Sequence, residues 1–139
     1  MNRITALVTA FVFASGSAIA EVLPANATCS DASLAGNYTV LFNGTYGNIS
    51  GDTPQVFVVA GLMNFNGAGT IEEFIYSSSV DGVLSSDISA SPGTYSINAS
   101  CYGVLNVAGT PASIFVNGSR FVGIVTYARG WAVTVTGTR

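Results

Sequence analysis

Apolar and polar residues alternate along most of this chain with a period of two. In WAVTVTGT, residues 131–138, Trp131, Val133 and Val135 share one face while Ala132, Thr134 and Thr136 share the other. Successive side chains on a strand point to opposite sides, so this is a strand with one buried face. RFVGIVTY (120–127) alternates less cleanly but is rich in β-branched and aromatic residues, which suit a pleated, half-buried surface. Further strands are predicted at GNYTVLFNG (36–44), PQVFVVAGLMNF (54–65), GTIEEFIYSSS (69–79) and GVLSSDIS (82–89). GTYSINA (93–99), CYGVLNVAG (101–109) and PASIFV (111–116) complete the set. No segment after residue 20 has a convincing helical period.

Turn residues punctuate these runs. Asn117-Gly118, Asp81-Gly82, the tetrapeptide Asn66-Gly67-Ala68-Gly69 and Pro92-Gly93 each separate two strands. Asn-Gly and Asp-Gly between apolar runs are strong hairpin signals, because both residues tolerate the positive φ of a tight turn. Gly61, inside the longest apolar run, reads as a bulge or bend. The polar stretch GTYGNISGDT, residues 44–53, reads as the longest loop and as a rim or lid. The fold class expected is all-β: one antiparallel meander of eight or nine strands, closed into a small barrel because closure removes exposed edges. A two-sheet β-sandwich is the alternative. An outer-membrane barrel is a weaker third, since its strands need ~9–11 residues and aromatic girdles at both ends.

The first residues change the picture of where the chain works. Arg3, an apolar run from Ile4 to Ala14, and Ala18-Ile19-Ala20 have the layout of a secretory signal peptide cleaved after Ala20. The expected organisation is a signal peptide (1–20), an N-terminal segment tied by a disulfide (21–36) and a barrel domain (37–139), secreted or periplasmic. No later segment is long and apolar enough for a membrane-spanning helix.

Only 8% of residues are charged, with no histidine and no lysine. Beyond residue 20 three cations, Arg120, Arg129 and Arg139, face seven acids. Nucleic acid and anionic lipid are therefore excluded as expected partners, since both need clustered Lys and Arg. Six asparagines stand in N-x-Ser/Thr triplets: Asn26, Asn37, Asn43, Asn48, Asn98 and Asn117. They are glycosylation candidates only in a eukaryotic secretory pathway; otherwise a Ser/Thr-rich chain makes such triplets by chance.

Cys29 and Cys101 are the whole thiol inventory. An even count in an exported chain predicts a disulfide. A reactive thiol needs a neighbouring base, commonly histidine, and zinc needs more ligands than two thiols supply. No metal or cofactor is expected.

Two groups are candidates for chemistry. Glu72 and Glu73 are adjacent on a strand, so one of them is expected to face the barrel interior, where burial would raise its pKa and fit it for acid–base work. In the plainer reading the strand lies near a rim and both acids are wet, or the inward one pairs with Arg120 or Arg129. Arg129, in the turn before Trp131, is a candidate for an acidic group of a ligand at the barrel mouth. Tyr38, Tyr95, Tyr102 and Tyr127 read as caps on a β core.

The order of motifs resembles a known pattern. CSDASLAGNY resembles a C-S-x-x-S-L-x-G-x-Y opening, and GTYSINASCYGVL resembles G-T-Y-x-[VI]-N-x-x-C-x-G-x-L. MNFNGAGTIEE and the closing VTGTR fit the same order, although one residue fewer separates Gly137 from Arg139 and Ser100 stands where an Asp is usual. These features resemble a group of small exported, mostly bacterial proteins without an established function. Their fold is similar to the allene oxide cyclase and dirigent-type (calycin-like) barrel. The resemblance implies a barrel and a Cys29–Cys101 pairing, and it implies no activity, because such barrels include catalysts and carriers. Three functions are compatible: a non-enzymatic barrel binding a small apolar or amphipathic ligand, a surface or matrix protein contacting proteins or glycans, and a cyclase- or isomerase-like enzyme using Glu72 or Glu73 with a buried tyrosine.

Overall fold

The computed structural model describes residues 28–47, 53–90, 92–126 and 131–139. Residues 1–20, read above as a signal peptide, and Asn26, Asn48, Tyr127 and Arg129 lie outside the described residues. Nine strands follow a short 3₁₀ turn, Asp31–Leu34. They are β1 (Gly36–Tyr46), β2 (Gln55–Phe65), β3 (Thr70–Val80), β4 (Val83–Ala90), β5 (Gly93–Ile97), β6 (Tyr102–Val107), β7 (Thr110–Asn117), β8 (Arg120–Val125) and β9 (Ala132–Thr138).

All strand pairs are antiparallel, in the order β2-β1-β9-β8-β7-β6-β5-β3-β4 with β2 also paired to its hairpin partner β3, and the pairing of the first strand, β1, with the last, β9, closes the ring. The result is a closed eight-stranded barrel in which β4 runs above β5 along the same edge of β3, in the same register, and pairs with β3 alone among the described strands. The 3₁₀ turn is an element the periodicity does not reveal: its four residues are too short for a period, and Ser30 and Ser33 hold it by Ser30 N–H to Ser33 Oγ at 3.1 Å and Ser33 N–H to Ser30 O at 2.9 Å. β1 runs on to Tyr46, so Gly44–Tyr46 are strand rather than loop, in register with Phe57, Val56 and Gln55 of β2.

Inward positions alternate on every strand and fill the core. At the lower end Tyr38, Phe65, Tyr95 and Phe121 meet edge to face or tilted, with ring centroids 5.1–5.9 Å apart. Leu34 of the 3₁₀ turn is fully buried against them and plugs this end. Three bonds hold the plug: the Tyr95 hydroxyl donates to Asp31 O (3.1 Å), Ile97 N–H donates to Asp31 Oδ1 (2.7 Å), and the Arg139 guanidinium donates to Ala35 O (2.9 Å). The Cys29–Cys101 disulfide anchors the same end, joining positions 72 apart in sequence.

Gly61 is not a bulge. It pairs in register with Val40 and Tyr76, and a Cβ there would strike the Ile75 carbonyl and Tyr76. The bulge lies one turn of pleat further on: Asn64 pairs with Glu73 and Phe65 with Ile71, which leaves Glu72 as the extra residue.

β1, β2 and β3 have 11 residues each, while β5 to β9 have five to eight. The long strands therefore form a taller wall, and the short ones a lower rim, at the end opposite the plug.

Candidate functional site

Between the tall wall and the low rim lies a cavity of ≈ 180 Å³. Each strand contributes inward side chains by its alternation. Phe42, Val59, Phe74 and Val125 are buried and form the floor. Tyr76 and Ser78 on β3, with Ala90 at the end of β4, make the wall, and Val107, Ala108 and Thr110 make the rim. Phe57 and Trp131 stand at the mouth, where Trp131 lies 5.1 Å from the Tyr46 ring and 6.2 Å from Phe57. Tyr76 stacks on Phe74 with centroids 4.6 Å apart, and Phe74 meets Phe42 at 6.1 Å. Phe57, Tyr76, Ser78, Thr110 and Trp131 are half-buried, so the cavity reaches solvent.

The chemistry of this lining is narrow. Among the described residues no acid or base lines it; its polar side-chain groups are the hydroxyls of Tyr76, Ser78 and Thr110 and the indole N–H of Trp131. A charged group placed there would lose hydration without a compensating partner. An uncharged ring or short chain would exchange water for aromatic faces, and an apolar void of about 150 Å³ already admits a benzene-sized molecule.

The glutamates do not share this site. Glu72 and Glu73 are both exposed on the outer wall, while Ile71 and Phe74 on either side are buried. The expectation that one would face inward assumes unbroken alternation. The bulge at Glu72 inserts one residue, so two consecutive side chains point outward before the inward phase resumes at Phe74. The buried tyrosines are also elsewhere. Tyr38 and Tyr95 lie at the plugged end, where Tyr38 donates to Ser33 O at 3.4 Å and Tyr95 to Asp31 O. Burial raises the pKa of both; the Arg139 charge partly offsets this at Tyr38, and hydrogen bonding to the Gly69 backbone does so at Tyr95. The structure thus brings no carboxylate together with a buried tyrosine among the described residues named as candidates.

Cys29 and Cys101 are bonded, with Cα atoms 4.9 Å apart, and no free cysteine remains. No group of three potential metal ligands occurs among the described residues. Asn37, Asn43, Asn98 and Asn117 are all exposed. Asn37 Oδ1 accepts from Asn64 Nδ2 at 2.6 Å, and Asn98 Oδ1 accepts from the Ser100 and Tyr102 amides at 2.9 and 3.1 Å. Tyr102 caps no core. It lies on the outer wall, 5.3 Å from the Phe115 ring, with its hydroxyl 3.1 Å from Ser113 Oγ. Arg120 is also outside, in register with Asn117 and Thr138.

The cavity residues escape a search for catalytic motifs because they are ordinary core types. The signal that would find them is positional: aromatic residues at inward phase near the ends of the longest strands. No family model, no curated protein and no solved structure matches this chain.

Proposed function

We propose that the protein is an exported, non-enzymatic barrel that takes a small apolar or amphipathic molecule into the cavity at its upper end. The observation that carries this reading is the cavity itself, ring-lined and reaching solvent at one end of a barrel whose other end is packed and plugged. The hydroxyls of Ser78 on the wall and Thr110 on the rim suit one polar group on the ligand. Export is supported by the Cys29–Cys101 disulfide, which belongs to an oxidising compartment, and by the leader-like first 20 residues. The motif order supports a place among small exported barrel proteins.

Trp131 is the single tryptophan and stands at the mouth, so it reports on its own site. Titration with the uncharged probe N-phenyl-1-naphthylamine is expected to quench Trp131 saturably, with a Kd tighter than ~1 mM. Ser78→Phe, which fills the cavity, is expected to abolish the effect. No saturable quenching, or quenching unchanged in Ser78→Phe, defeats the proposal. A second reading, contact with proteins or glycans, is favoured by the outer wall of β7 and β8, where Phe115, Val122 and Ile124 are 59%, 54% and 57% exposed.

A further inference from the structure

Among the described strands the barrel leaves one edge open. There β4 is paired on its β3 side only, and it carries the two most exposed large apolar residues of the described chain, Val83 at 71% and Leu84 at 72%. An open edge normally carries lysine or proline as protection against pairing. β4, VLSSDISA, has neither, and one acid. Its turn, Asp81-Gly82, has φ of 48° and 82°, as a two-residue hairpin with two left-handed positions requires. In such a hairpin the flanking pair Val80–Val83 exchanges the ladder bonds, so the backbone N–H and C=O of Leu84 point to the open edge.

We propose that this edge pairs antiparallel with β4 of a second copy of the chain. Three observations choose a second copy. First, the partner must itself offer an unpaired strand, and β4 is the one open edge among the described strands. The contact is then isologous and closes at a dimer rather than propagating as a fibre.

Second, the strand is self-complementary. Val83, Ser85, Ile88 and Ala90 pair with the inward Val80, Ser78, Tyr76 and Phe74, whereas Leu84 and Ser89 pair with the outward Ser79 and Ile75. Ser86 and Asp87 together oppose Ser77, a bulge that shifts the alternation by one. Read in either direction β4 is therefore in, out, in, bulge, in, out, in. Antiparallel pairing about a twofold axis at the bulge sets Val83 beside Ala90, Leu84 beside Ser89 and Ser85 beside Ile88 of the other copy, with inward faces matched.

Third, this register covers surfaces that stand exposed. Leu84 of one copy extends the outer row Leu62–Ile75–Ser89 of the other, in which Leu62 is 59% and Ile75 44% exposed. On the inner face Val83 of one copy stands next to Ala90 of the other, which lines the cavity. The second copy thus adds a residue to the cavity wall. The inference does not rest on the ligand reading, because its test measures mass.

The test is sedimentation equilibrium of the oxidised protein over a range of concentrations, with Leu84→Pro and Leu84→Lys beside the wild type. Leu84→Pro removes an edge donor not needed by β3, and Leu84→Lys puts a charge on a fully wet position, which keeps the test valid if the proline variant misfolds. A twofold contact counts each substitution twice, so the dimer dissociation constant is expected to rise roughly tenfold or more in both. In the wild type, amide exchange within residues 83–90 is expected to slow as concentration rises. A wild type that stays monomeric up to ~1 mM overturns the proposal. So does a dimer that both variants leave intact, or one whose formation leaves exchange in residues 83–90 unchanged.

Discussion

Gly137 and Phe121 show how one residue's size decides the packing of a barrel this narrow. They face each other in register on β9 and β8, and a Cβ on Gly137 would strike the Phe121 ring. The ring fills the space the glycine leaves and completes the aromatic layer above the plug. Gly137→Ala is expected to destabilise the fold by about 1–3 kcal/mol, as overpacking does, read as a lower urea midpoint. A change under ~0.5 kcal/mol would show that the ring moves aside freely. Tyr38 and Tyr95 make a second residue-scale case. Burial lifts both phenol pKa values above the ordinary 10.0, so the folded protein holds protons that the unfolded chain gives up near 10.0. The stability linked to them is fully present below pH 10.0 and is lost as pH rises through the folded values. The urea midpoint is expected to fall above pH 10.0, and to fall less in Tyr38→Phe. Equal slopes in the two proteins would remove Tyr38 from that account. None of this is visible in the composition, because a tyrosine's pKa depends on which residues surround it.

At the scale of elements, the disulfide and the bulge differ in how well the chain announces them. Two cysteines in one chain allow a single intramolecular pairing, and the structure has it. The bond closes a long loop and fastens the plug segment to the β5–β6 turn. Replacing both cysteines by serine is expected to cost about 4 kcal/mol on the chain-entropy account, with the β-type circular dichroism retained. A loss under ~1 kcal/mol would mean that the hydrogen bonds of Asp31 and Arg139 hold the plug without it. The bulge is the opposite case. Unbroken alternation along Ile71-Glu72-Glu73-Phe74 would put Ile71 and Phe74 on opposite faces, yet both are buried, because the register of β3 against β2 puts Glu72 in excess. Register is a property of two strands, so the outward placement of both glutamates follows from β2 as much as from β3.

For the whole molecule, unequal strand lengths create both the ring-lined recess and the open edge among the described strands. Had all strands ended level, β1 to β3 would have no inner face standing above Val107 and Thr110, and β6 would cover the far edge of β4. The probe titration at Trp131 and the sedimentation series at Leu84 examine these two consequences separately. Saturable quenching in a monomeric protein would leave the cavity as the functional feature. A dimer without quenching would leave the edge.

The chain by itself determined a set of eight or nine strands, most of their turns, the disulfide and the all-β class. Each of these rests on short-range information: side-chain alternation, glycine and asparagine at positive φ, and a thiol count of two. The tertiary structure decided that the meander closes as a barrel, through the pairing of the first strand, β1, with the last, β9, and not as a sandwich. It also decided that both glutamates face water and that Phe42, Phe57, Phe74, Tyr76 and Trp131 converge on one cavity. These outcomes depend on register and on strand ends meeting across the barrel. Such relations join residues many positions apart, and a local pattern of apolar and polar residues carries no record of them.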